Sequence, residues 1–258
     1  MRAVPTAKPD PEPVVAAITL EQLASDPDPR FAFDRKPVEL TAKVARPGRV
    51  DNIYRSLTVA LTQDGDMTAI LGGSPFITAL FPTDAIGADK FRTLPPHQEV
   101  TVSGELRWAS KNIWELHGAK LIKANADPSM AMTATELTQA FVDDKDAAAK
   151  KYRDQPLKIS GKVSGKPVPF GQYAAVAIAG AVNSDGKATT VIAHFRPEHF
   201  NTIGTRDLNQ DSLVAILPYH EGDDIEVYGT LQFADFGTGP DGQPGLPLDA
   251  YPATWPVK

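Results

Sequence analysis

Two separated stretches of this chain alternate strictly between apolar and polar positions. Val38, Leu40, Ala42 and Val44 alternate with Glu39, Thr41 and Lys43, the period-two signature of a half-buried strand. Leu157, Ile159, Gly161 and Val163 repeat the pattern, and a proline leads each stretch. The correspondence extends to the letters. Pro37-Val-Glu-Leu-Thr-Ala-Lys-Val44 recurs as Pro156-Leu-Lys-Ile-Ser-Gly-Lys-Val163, an offset of 119, and Val100-Thr-Val-Ser-Gly-Glu-Leu106 recurs as Ile225-Glu-Val-Tyr-Gly-Thr-Leu231, an offset of 125. Two matched pairs in the same order imply a duplicated β-rich module with a few residues inserted in the second copy.

Each copy opens with a helix signal. Thr19-Leu-Glu-Gln22 and Thr133-Ala-Thr-Glu136 are capping boxes, with Ile18/Leu23 and Met132/Leu137 at the staple positions. Pro27 and Pro29 should end the first helix early. In the second copy Leu137, Ala140, Phe141, Ala148 and Tyr152 hold one apolar face, which predicts a single helix running through Ala147-Ala-Ala149. Further strands are expected at Leu57–Thr62, Phe76–Phe81, Val100–Trp108 and Ile113–Ile122, then at Tyr173–Val182, Ala188–Phe195, Asp224–Phe233 and near Leu246–Ala250. Turns at Gln63-Asp-Gly65, Asn183-Ser-Asp-Gly186 and 237–245 separate them. A longer segment follows the third strand of each copy, 82–98 and 196–223, with a short helix expected at Asp211–Leu217. Three strands, a connection and two more strands is the order of an OB barrel. Gly104 and Gly229 fall within strands, where a small barrel needs a bend or bulge.

The 258 residues suffice for two cores. The expected division is a flexible Pro-rich leader over 1–17, one OB domain over 18–126 and a second over 127–258. Absence of cysteine excludes disulfides, thiolate zinc sites and cysteine nucleophiles. No apolar run approaches the roughly 18 residues of a membrane helix. Met1-Arg2 leads into polar, Pro-rich sequence and not into an export h-region. The expectation is an exported or envelope protein if a signal has been removed, and a cytoplasmic one otherwise. The net charge of -6 lies wholly in residues 127–258, with 11 Lys+Arg against 17 Asp+Glu, whereas residues 1–126 carry 15 of each. Polyanion binding is disfavoured for the second half and left open for the first.

The capped Ala-rich segment ending in Ala149-Lys-Lys-Tyr152, followed by Leu157-Lys-Ile-Ser-Gly-Lys-Val163, resembles the bacterial tRNA-anti-like OB-fold family. That family includes many proteins classed as exported or as lipoproteins, and its name refers to the anticodon-binding type of OB fold. The resemblance extends through Ala193-His-Phe195 and Ile225-Glu-Val-Tyr-Gly229. It implies two OB barrels and brings no catalytic residues with it. Many members carry Cys on the third strand and near the end of the last. Here the third strands read Ala79-Leu-Phe81 and Ala193-His-Phe195, which removes any thiol chemistry.

OB folds hold single strands by aromatic stacking in a basic groove. The first copy offers Lys43, Arg46, Arg49 and Arg55, opposed by Asp51, with Tyr54, Trp108 and Trp114 as stacking rings and Arg107 and Lys111 at the last hairpin. A solvated loop over core aromatics is the competing account. His194 and His199, with Glu198, lack helical zinc spacing, and alternation with Ala193 and Phe195 predicts a partly exposed His194. No metal or cofactor is expected. No nucleophile elbow, Walker loop, dinucleotide fingerprint or His-Glu-x-x-His motif occurs. Asp143-Asp144-Asp146 should lie late in a helix, opposing the macrodipole, with Lys145, Lys150 and Lys151 compensating. The expectation is a non-enzymatic tandem OB binding or scaffold protein with a protein or other macromolecular partner. Single-stranded nucleic-acid binding by the first copy is the alternative, and an enzyme with an interdomain site is third.

Overall fold

The computed structural model describes residues 15–51, 56–65, 74–82, 94–170, 173–195, 214, 217, 219–231, 235–239 and 242–252, with side chains left aside at 46–51 and 251–252. The described chain is mainly β, in two sheets, with short helices. In the first half β1 (Ala16–Thr19) leads into α1 (Leu20–Ser25) and α2 (Pro29–Phe33). Then come β2 (Lys36–Asp51), β3 (Ser56–Thr62), β4 (Phe76–Pro82), β5 (Glu99–Ser110) and β6 (Ile113–Ala124). The second half holds β7 (Met130–Thr133), α3 (Ala134–Asp143), α4 (Lys145–Tyr152), β8 (Leu157–Lys162), β9 (Val168–Phe170) and β10 (Tyr173–Val182). It continues with β11 (Ala188–Phe195), β12 (Asp224–Leu231), β13 (Gly237–Thr238) and β14 (Pro244–Pro252).

In the first sheet the order β2-β3-β4-β6-β5 returns to β2 through a further β2–β5 pairing, which makes a ring. In the second, β8-β12-β14-β11-β10 returns to β8 through the bridge Val163↔Ile178 and the bond from Ser164 N–H to Ala177 O at 2.9 Å. The β4–β6 and β11–β14 pairs are parallel, and so are β1–β2 and β7–β8. The two sheets therefore share one order of pairings. Period-two alternation places Val38, Leu40, Ala42 and Val44 in one hydrophobic cluster with Leu57, Val59, Leu61 and Trp114. Leu157, Ile159, Val176, Ile178, Val191 and Phe195 lie in another.

Both capping boxes are present. Thr19 Oγ1 accepts from Gln22 N–H and Thr133 Oγ1 from Glu136 N–H, at 3.1 Å each, and the Gln22 and Glu136 side chains accept in return from the Thr backbone N–H. The Thr133 backbone N–H and then its hydroxyl hold the Glu136 carboxyl below the usual range. Each Thr is also the last residue of a parallel strand, so the chain turns from sheet to helix at one residue. These strands, β1 and β7, were not foreseen, nor were β9 and β13: two to four residues are too few to show a period. Residues 16 and 17, expected in the leader, belong to β1.

The helices depart from expectation in two places. Pro27 does end α1, but Pro29 opens α2 at its first position, where a missing N–H costs nothing. The continuous helix expected over 134–152 breaks at Asp144, whose Oδ1 accepts from Ala147 N–H at 3.0 Å and caps α4. Asp146 then sits in a first turn, where the macrodipole favours a carboxylate, and does not oppose it as expected. Lys145 pairs with Asp235 at 2.6 Å, which lowers the Asp235 pKa. Leu137, Phe141, Ala148 and Tyr152 on α3 and α4 complete the second core. The segment 211–217 falls largely outside the described residues.

The bulge expected at both glycines is found at Gly104 alone, while close contact accounts for both. A Cβ at Gly104 would come within 2.8 Å of His117 O, at a register shift between β5 and β6, and one at Gly229 within 2.4 Å of Asp249 O and 2.8 Å of Leu248 Cγ. The link between the halves is anchored on both sides. Asn125 donates from its backbone N–H to Glu99 O (2.9 Å) and from Nδ2 to Glu99 Oε1 (2.6 Å). Tyr228 OH donates to Asp127 Oδ2 at 3.0 Å, and burial, then the Asp127 charge, raise the Tyr228 pKa.

Gly229→Ala is expected to lower the unfolding free energy by about 1–3 kcal/mol through overpacking, read from the urea midpoint. Gly165→Ala, where a Cβ meets nothing within 4 Å, should leave it unchanged. Burial pushes Tyr219 up to about 12. Its folded pKa exceeds its unfolded value of about 10, so the stability it contributes is complete below pH 10 and is lost as pH rises toward 12. The difference in urea midpoint between wild type and Tyr219→Phe should therefore change between pH 9.5 and 11.5 and stay constant below that window.

Candidate binding surfaces

The β5–β6 hairpin is joined by Lys111 and Asn112, with Asn112 in the left-handed region (φ 61) that Asn tolerates in tight turns. Trp108 and Trp114 stand opposite each other across it. They have different fates. Trp114 is 2% exposed and belongs to the core, so it offers no stacking face, contrary to expectation. Trp108 is 37% exposed at the end of β5, beyond the register shift that separates it from Ser110.

Helix α2 packs against this end. Asp28 Oδ1 accepts from Phe31 N–H (3.2 Å) and fixes the helix start, while Asp34 Oδ1 accepts from Trp108 N–H (2.9 Å) and fastens its end to β5. The Arg30 guanidinium then lies 4.6 Å from the Trp108 ring centroid, a cation–π contact. Its neighbour Phe31 is 87% exposed. A groove of about 300 Å³ opens here, lined by Leu23, Pro29, Arg30, Trp108 and Lys111 among others.

Other expected site residues are distributed differently. Arg107 donates through Nε to Glu105 Oε1 at 2.7 Å, and Glu115 faces it across the pair of strands. Glu115 in turn contacts His117 Nε2 at 2.7 Å, and His117 faces Glu105. Arg107 thus stands between two carboxylates, Glu105 and Glu115, and not in an open cationic groove. Lys43 is half-buried and faces Thr62 on one side and Glu99 on the other. Glu99 and Arg107 are eight residues apart on β5, which sets Lys43 and Arg107 roughly 25 Å apart along the sheet. The Arg46 and Arg49 backbones pair with Ala60 and Thr58 at two register shifts. Their side chains, with Tyr54 and Arg55, lie outside the described residues.

Part of the outer strand face is covered in each half. Ser56, Thr58 and Leu80 are buried although they alternate with core residues of β3 and β4. Ala175, Ala177, Thr190 and Ile192 are buried in the same way on β10 and β11. His194, expected to be partly exposed, is 5% exposed. Its ring stacks with Tyr173 (5.3 Å, 8°) and Phe170 (5.4 Å, 23°). His199 and Glu198 lie outside the described residues. Among the described residues no three metal-ligating side chains come together, and no helix is long and apolar enough to cross a membrane.

The chain carries a tRNA_anti-like region, its residues 109–227 matching that family's model. The span contains β6 to β11 with α3 and α4 and ends within β12, so it takes in the stretch on which the sequence resemblance rests except for Tyr228 and Gly229. No curated protein matches the chain. Among solved structures it is similar to one described as an aspartyl-tRNA synthetase from Leishmania major Friedlin, at 9% identity and a TM-score of 0.30, over 69% of this chain. The match spans half of that protein's length, 50%. It is also similar to the wild-type single-stranded DNA binding protein from Thermus aquaticus, at 12% identity and a TM-score of 0.20, over 86% of this chain and 94% of that one. At these scores neither likeness carries an argument about this chain.

Arg30→Ala should increase acrylamide quenching of the Trp108 emission, isolated by difference from Trp108→Phe, and cost about 0.5–1 kcal/mol of stability. Unchanged quenching would show that Arg30 does not cover the ring.

Proposed function

We propose that the chain is a non-catalytic binding protein of two tandem OB barrels, 18–126 and 127–258, and that the first docks a protein partner on the surface around Phe31, Arg30, Trp108 and Lys111. The observation that carries this reading is Phe31. A phenylalanine 87% exposed on a helix tied down at both ends by Asp28 and Asp34 contributes nothing to the core. Aromatic and Arg side chains on a rigid support are the composition of binding hot spots. The partner this surface suits presents an apolar segment beside a carboxylate that Arg30 or Lys111 can meet. The shared order of pairings, each ring led by a capped helix, supports the tandem barrels.

Single-stranded nucleic acid at the same hairpin is the second reading, favoured by Trp108 beside Arg30 and Lys111. Weighing against it are the covered faces of β3 and β4 and the pairing of Arg107 with Glu105, because strand binding needs stacking rings along a cationic groove.

A photo-crosslinking residue at position 31 should yield a discrete protein adduct that the same residue at Val182, exposed in the other half, does not. With that partner purified, Phe31→Ser should weaken binding tenfold or more while the circular dichroism is retained. Labelled single-stranded DNA and RNA should show no salt-sensitive anisotropy change. Salt-sensitive binding lost in Arg30→Glu/Lys111→Glu would instead establish the nucleic-acid reading.

A further inference from the structure

The patch around Phe31 carries both sides of a contact. One side is the groove of about 300 Å³, which has the buried Leu23 and Trp114 among its lining residues and Arg30, Trp108 and Lys111 at its margin. The other side is Phe31 itself, which does not line that groove and projects beside it from α2. The ring cannot swing into its own groove. Asp28 Oδ1 holds the Phe31 N–H, Asp34 Oδ1 holds the Trp108 N–H, and Arg35 N–H donates to Leu106 O at 2.7 Å. One turn of helix, about 10 Å across and about 5.4 Å in pitch, needs more room than the groove offers. It takes a side chain and not a whole element, which is the way an aromatic anchor seats in a pocket.

Charge says whose side chain. Asp26 and Asp28 precede the ring, and Arg30 and Lys111 border the groove. Asp26 Oδ1 accepts from Asp28 N–H at 2.8 Å, Asp28 Oδ1 caps α2, and Arg30 lies on the Trp108 ring. Among the described residues none of these four charges is in an ion pair. Two free charges of each sign on one patch are a poor match for a strongly acidic or a strongly basic partner, since either is attracted by one pair and repelled by the other. A second copy of the same patch, turned about a two-fold axis, satisfies all four. An isologous contact sets each group opposite its counterpart's complement, so knob meets groove and carboxylate meets cation twice over. Phe31 beside Asp28 is also the chemistry this surface suits, an apolar residue next to a carboxylate.

We propose that two copies of the chain dock through this patch about a two-fold axis, each seating Phe31 in the other's groove, with Arg30 and Lys111 facing Asp26 and Asp28 of the other copy. The proposal rests on the protein-docking reading and names its partner. A contact this small belongs to the weak, reversible class of interfaces, so the dimer is set by concentration.

The test is sedimentation velocity of the purified full chain from micromolar to millimolar concentration. Wild type should pass from monomer to dimer within that range. Phe31→Ser should raise the dissociation constant tenfold or more with the circular dichroism retained. Arg30→Glu/Lys111→Glu makes the patch acidic, and Asp26→Asn/Asp28→Asn makes it basic while keeping the oxygens that cap the helix. Each double variant should dimerise less well than wild type, and an equimolar mixture should associate more tightly than either alone, because one set of pairs is restored. A chain that stays monomeric at millimolar concentration overturns the proposal. So does a dimer indifferent to Phe31→Ser, or a mixture no tighter than its parts. The crosslinker at position 31 separates this failure from that of the docking reading. An adduct of twice the chain mass from purified protein alone supports the dimer. An adduct formed only with a different protein overturns the dimer and keeps the docking reading, and no adduct of either kind ends both.

Discussion

Closure of the sheet is the constraint on which the rest of the structure depends. In the first half the ladder from Lys36↔Leu106 to Lys43↔Glu99 joins β2 back to β5, so no strand of the ring is left as an edge. A small closed ring coils its strands sharply and brings backbones together, and Gly104 and Gly229 sit where a Cβ would strike a neighbouring carbonyl. Closure also leaves the ends of the core to be covered. In the second half α3 and α4 supply Leu137, Phe141, Ala148 and Tyr152 for that purpose. The capping Thr at the end of a parallel strand lets the helix start against the sheet without slack. The second ring closes more lightly, through Val163↔Ile178, because Ser164–Pro167 interrupts the strand that is continuous as β2 in the first.

Much of this was legible in the sequence, for a physical reason. Strands with one face in a core must alternate, and the second Pro-led stretch and the later strands were bounded to within a few residues, whereas β2 runs seven residues past the expected end at Val44. Capping boxes were equally readable, because the chemistry of a cap is local. What escaped was short or decided by tertiary contact. Strands β1 and β7 are four residues each. Asp144 looked like part of a helix because an apolar face runs past it, yet its side chain starts a new helix. Pro29 carried two opposite signals, stop and start, and both operate.

The candidate surfaces were read less well, since alternation says which side a residue faces but not what else covers that side. His194 points out of the core and is nonetheless buried under two rings. Trp114 and Trp108 look alike in the sequence and face each other across the hairpin, yet Trp114 is flanked by β4 and lies in the core, whereas Trp108 stands past the last β2–β5 pair at Leu106 and lies beneath Arg30, which is far away in the chain. No local pattern links Arg30 to Trp108. The signal that could have drawn attention to the site is Phe31, an aromatic directly after Pro29-Arg30 on a helix too short to bury every ring.

The link between the halves has a consequence for valency. Asn125 is fastened to Glu99 and Asp127 to Tyr228, so Ala126 alone stands between two anchored residues. A long flexible connection lets two weak sites reach partners of many lengths at a low effective concentration, whereas a short one raises that concentration steeply for the few spacings it can span and forbids the rest. A ligand or assembly that touches both halves is therefore selected by its own geometry as much as by its chemistry.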